Sequence, residues 1–113
     1  MSTANEARLW YLQRISAMIL ALCVVVHIVT IVYAVRGGLT GAEILGRTRG
    51  NVVFAAFYVL FVVAAAVHAP IGLGRIAEEW LQWRGRWLNG LLLIFAVVLV
   101  AIGLSAVWGL YGG

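Results

Sequence analysis

Hydrophobic and polar positions in this chain alternate on the scale of whole helices. Three runs carry no Asp, Glu, Lys or Arg: between Arg14 and Arg36, between Arg49 and Arg75, and after Arg86. Each is longer than the roughly 18 residues that mark a candidate bilayer-spanning segment. The lipid core offers no partner for a free backbone N–H, so each run must be helical. The pattern predicts spans over about 14–35, 51–74 and 88–108. The fold class is all-α: three transmembrane helices in an antiparallel up-down-up bundle, one membrane domain over 1–113.

Between the spans the pattern changes. Residues 1–13 are polar and read as a short interfacial entry, with Trp10 and Tyr11 suited to the headgroup level. "RGGLTGAEILGRTRGN" is Gly-rich and charged, and reads as an external loop with a short helical turn. "RIAEEWLQWRGRW" reads as an amphipathic cytoplasmic connection anchored by Trp80, Trp83 and Trp87. Pro70 lies inside the second span, where its missing N–H leaves the Ala66 carbonyl unpaired and predicts a kink near His68. The first run is longer than the apolar core of a signal peptide, so a cleaved leader is not expected.

Composition agrees with a membrane class. The chain is 65% hydrophobic with mean hydropathy +1.05, against roughly 45–50% apolar in soluble domains. Its formal charge of +4 rests on arginine alone. These arginines flank the apolar runs, where they anchor helix ends, so nucleic acid is not an expected partner. Five of them fall in the N-terminal segment and second loop (Arg8, Arg14, Arg75, Arg84, Arg86), against three (Arg36, Arg47, Arg49) in the first loop. The positive-inside rule then favours a cytoplasmic N-terminus. The lone cysteine, Cys23, falls mid-span and reads as a small packing residue.

Two histidines interrupt this apolar chain, His27 and His68. Ionisable side chains within membrane spans are rare, face the bundle interior and read as functional by default. His27 follows Arg14 by thirteen residues, and His68 precedes Arg75 by seven on a helix of opposite direction. Their depths from one membrane face are then roughly 20 and 10 Å. Axial ligands of one iron sit about 2 Å either side of it, so these two are not expected to share a metal ion. Haem iron is a natural target for an imidazole in a helical bundle, and each histidine would need its fellow ligand from another chain or a second copy. Ala64, Ala65, Ile71 and Gly72 share a helical face with His68, and the small ones among them suit either a flat macrocycle or close helix packing. Arg14, Ser16 and Arg75 gather at the cytoplasmic ends, where an arginine can pair with a haem propionate or donate to a quinone carbonyl, or simply snorkel.

These residues resemble a known family. "HAPIGLGRIAEEW" resembles the second-helix signature of the cytochrome b membrane anchors of succinate dehydrogenase and fumarate reductase: a haem-ligating histidine, a glycine four on and an acid eleven on, here His68, Gly72 and Glu79. "WYLQRISAMILAL" resembles the family's first-helix start, with Arg14 two residues before Ser16, and "AVWGLYGG" resembles the tail of the smaller anchor. The resemblance implies haem b, one or two, shared with a second haem-ligating anchor subunit, together with iron–sulfur and flavoprotein subunits. It is closest to two-haem members, in which first-helix and second-helix histidines serve different haems. By that likeness His68 would bind the haem nearer the iron–sulfur subunit and His27 the outer one. Where the family often has a tyrosine at the quinone pocket this chain has Trp80, and Glu43 is the one acid of the first loop; both are candidate quinone contacts.

The chain has no dinucleotide fingerprint and no cysteine cluster, so dicarboxylate chemistry is expected on partners. The function that follows is an anchor in the bacterial inner (cytoplasmic) membrane, passing electrons between a soluble succinate-oxidising or fumarate-reducing pair and quinone. Alternatives are a cytochrome b subunit of another quinone-linked dehydrogenase or hydrogenase, and a haem-free small multi-pass protein.

Overall fold

The computed structural model describes residues 3–112. Helix α1 spans Thr3–Arg36, α2 Gly41–Thr48, α3 Val52–Trp80 and α4 Arg86–Tyr111. Three of them, α1, α3 and α4, are long and apolar enough to cross a bilayer. The expected spans are present and longer than their apolar cores. The interfacial entry is not separate: α1 runs from Thr3 without a break, because nothing in "TANEARLWYLQR" stops a helix. Likewise α3 continues past Gly74 to Trp80. Pro70 sits inside it, buried, and α3 is helical on both sides.

Among the three long helices, α3 is the common neighbour. The central helix α3 packs on α1 along one side and on α4 along the other, while α1 and α4 scarcely meet. Facing α3, the buried and half-buried positions of α1 include Gln13, Ser16, Leu20, Cys23, His27, Thr30 and Ala34, spaced three and four apart. That stripe is a seam of the coiled-coil kind. Cys23, at 2% exposure, is its most buried member and a free thiol, as expected of a packing residue. On the α4 side small residues let backbones approach. A Cβ at Gly103 would lie 2.5 Å from Val62 Cγ1, and one at Gly74 2.9 Å from Leu92 Cδ1. Dispersion gained by such close approach is what holds apolar helices together in lipid.

The end of the bundle that carries α2 is tied by hydrogen bonds. Thr40 caps α2: its Oγ1 accepts from Glu43 N–H at 3.2 Å, and Glu43 Oε1 accepts from Thr40 N–H and Oγ1 at 3.4 and 3.1 Å. Asn51 Oδ1 caps α3 by accepting from Val53 and Phe54 N–H. Thr48 Oγ1 donates to Leu110 C=O at 2.7 Å, and Gly50 N–H to Tyr111 C=O at 2.9 Å. These bonds occupy two of the carbonyls that the last turn of α4 leaves without helical partners. Arg47 donates to Tyr33 OH at 3.0 Å and lies over its ring; the hydrogen bond pushes its guanidinium above the usual arginine range.

The α3–α4 contact should fail selectively. Gly103→Ala is expected to cost about 1–3 kcal/mol by overpacking against Val62. Gly90→Ala, where a Cβ meets nothing within 4 Å, should be neutral or stabilising. Unfolding midpoints in detergent, compared for the two variants, check this.

Candidate functional site

Both histidines lie on the α1–α3 seam and are half-buried. His68 reaches from α3 to α1: its Nδ1 stands 3.4 Å from Ser16 Oγ. His27 reaches from α1 to α3: its Nδ1 stands 3.3 Å from Tyr58 OH, and its ring meets those of Tyr58 and Phe61 edge-on. His68 therefore sits at the level of Ser16 and His27 at the level of Tyr58. Ser16 and His27 are eleven residues apart on α1, Tyr58 and His68 ten on α3. By either helix the imidazoles differ in height by about 15 Å, too much for one metal ion.

That separation exceeds the roughly 10 Å expected from the flanking arginines. Those arginines are not at one height. His68 is level with Ser16, two residues after Arg14, yet seven residues before Arg75. The extended ends of α1 and α3 place Arg75 farther out than Arg14.

Around His68 the seam is polar. Ser16 is 4% exposed, and its Oγ donates to the Gln13 carbonyl at 3.1 Å. The Gln13 amide packs on Gly72, where a Cβ would stand 3.3 Å from Nε2, and its Oε1 is buried with no hydrogen-bond partner. Ala64 is also buried. In this chain Gly72 thus admits the Gln13 side chain of α1. Of the two readings of these small residues, close helix packing describes Gly72.

The other candidates stand apart from this group. Arg14 is exposed and its guanidinium lies over Trp10, 5.0 Å from the ring centre. Arg75 pairs loosely with Glu78 at 3.9 Å and lines a cavity of about 360 Å³ with Leu9, Pro70, Gly74 and Asn89. Trp80 ends α3 at 81% exposure. Glu43 spends its carboxylate on the α2 cap. Of the residues singled out from the sequence, the structure brings together His68 and Ser16; Arg14, Arg75, Trp80, Glu43 and His27 lie elsewhere. Gln13 and Tyr58 are contacts that sequence reasoning missed. The three-and-four spacing of Gln13, Ser16, His27 and Thr30 is the signal that would have found Gln13, since it marks one face of an otherwise apolar helix.

Among the described residues no three His, Cys, Asp or Glu side chains gather as a metal site. The donor chemistry at His68 can suit a haem iron: a neutral imidazole that donates its Nδ1–H within the chain has the Nε2 lone pair for a metal.

No curated protein and no solved structure matches this chain. Residues 2–104 match the family described as the succinate dehydrogenase/fumarate reductase transmembrane subunit. With that match over nearly its whole length, and three helices long enough to span a membrane, the chain belongs to the succinate dehydrogenase/fumarate reductase transmembrane subunit family.

Proposed function

We propose that this chain is a haem b-binding membrane anchor, carrying electrons between an iron–sulfur subunit and membrane quinone. Membership of the family implies association with iron–sulfur and flavoprotein subunits and with the membrane. The single observation that supports haem here is His68. It is a half-buried imidazole near one end of a membrane seam, with Nδ1 toward a serine of the neighbouring helix. His68 would supply one axial ligand through Nε2, and a second anchor subunit the other. Bound haem would supply one-electron transfer. The chain's own part is to hold the ring at a fixed depth, keep water from it and shape its potential by burial.

The arginine count supports a cytoplasmic position for the N-terminal end of the bundle, where His68 lies. His68 would then face the side of the soluble subunits. Arg14 and Arg75 lie near this end as counter-charges for propionates or donors for a quinone carbonyl, and exposed Trp80 N–H is a further donor there. Glu43 would reach a quinone at the opposite side only by giving up its cap.

A second haem at His27 is favoured by the height difference of about 15 Å. An imidazole there is too far from His68 to share its iron and needs a partner at its own level. Each haem would then answer to one histidine.

Two measurements test these readings. In the purified complex, His68→Ala should abolish one b-type reduced-minus-oxidised signal and leave the other, while His27→Ala should do the reverse. Loss of both from either change would defeat independent sites. Haem-to-flavin stoichiometry should be two, and a value of one with His27→Ala silent would leave His68 as the sole ligand.

A further inference from the structure

The contact between His68 and Ser16 bears on which ring nitrogen carries the hydrogen. Ser16 has one proton to donate, and its Oγ donates it to the Gln13 carbonyl at 3.1 Å. Toward His68 Nδ1, 3.4 Å away, the same oxygen has only lone pairs to offer. Both contacts can be made at once only if the hydrogen of the second comes from the ring. This makes His68 the Nδ1–H tautomer and leaves the Nε2 lone pair for a metal. With the opposite tautomer the one serine proton could serve Nδ1 or the Gln13 carbonyl but not both, and one contact of a serine 4% exposed would be lost.

We infer that Ser16 is a positioning residue: donating to the Gln13 carbonyl and accepting from the imidazole, it fixes His68 as the Nδ1–H tautomer and so presents Nε2 to haem iron. The assignment rests on the haem reading above. It gives Ser16 a role distinct from a contact to propionate or quinone, since the hydroxyl is turned into the helix seam and both its donor and acceptor functions are used there. A short hydroxyl side chain suits this place in α1 because it can bond back to the carbonyl three residues earlier while presenting its lone pairs to α3. A hydrogen bond accepted from Nδ1–H makes imidazole a stronger donor to the metal, which favours ferric over ferrous iron.

Ser16→Ala and Ser16→Thr in the whole complex test this, read by the midpoint potential and the low-spin EPR signal of the His68 haem. Threonine keeps the back-bonded hydroxyl. Ser16→Ala should shift the potential upward and change the EPR line positions, and Ser16→Thr should restore both toward wild type. An unchanged potential and EPR signal in Ser16→Ala would overturn the assignment, as would equal loss of haem from both variants. A wild-type complex free of haem would instead defeat the haem reading and not this step alone.

Discussion

What fixes this molecule is the need of a few polar side chains to find partners where lipid supplies none. In water, apolar burial would drive α1 onto α3. In a bilayer that force is missing, because lipid tails are as apolar as leucine. The seam relies instead on small or polar residues: Gln13, Ser16, Cys23, His27 and Thr30 from α1, met by Tyr58, His68 and Gly72 of α3. Thr30 bonds back to the Val26 carbonyl, as Ser16 does to that of Gln13. Each hydroxyl thus spends its proton within its own helix and keeps its lone pairs for other contacts. The histidines are bound into this arrangement at both heights, so the same contacts that register the helices aim the imidazoles.

The other side of α3 is made differently. Gly74 of α3 and Gly103 of α4 bring the two helices close, each against an apolar side chain of the other. One helix thus carries a polar seam and an apolar one, and the two can be tuned apart. The α2 segment closes one end of the bundle by bonding the last carbonyls of α4. That leaves α1 attached through the seam alone over most of its length, with large apolar side chains such as Leu22, Val25 and Val29 turned outward.

Much of this was legible because membrane spans obey one rule. The absence of charge over three long runs marked the helices, and the turn-rich "RGGLTGAEILGRTRGN" marked the first loop, including its short helix. The ends were not legible. Hydropathy marks where a helix leaves the hydrocarbon, whereas a helix stops only where its backbone does, so α1 and α3 run on through "TANEARLWYLQR" and "RIAEEW". The same gap misjudged the height of Arg75. At the site, His68 and His27 stood out by charge, and Ser16 by its likeness to the family. Gln13 and Tyr58 did not, because an amide near a helix start and a tyrosine in an aromatic cluster are ordinary in any membrane span. Their roles come from which helix faces which, and that is a tertiary fact.

The two histidines differ in a way that bears on how each could bind iron. At His68 the neighbouring hydroxyl has the Gln13 carbonyl of its own helix within donating reach. At His27 the neighbour is the Tyr58 phenol, whose proton is not so committed. If Tyr58 donates to Nδ1, the ring hydrogen moves to Nε2 and that nitrogen cannot take a metal. If the ring donates instead, Nε2 is free but the phenol O–H must find another acceptor or stay unpaired, at a cost of roughly 1–3 kcal/mol. An iron at His27 would therefore compete with a tautomer in which Tyr58 donates, whereas an iron at His68, with the tautomer inferred there, would not. A metal bond of several kcal/mol can carry the first case, but the haem at His27 would then be the more easily lost of the two.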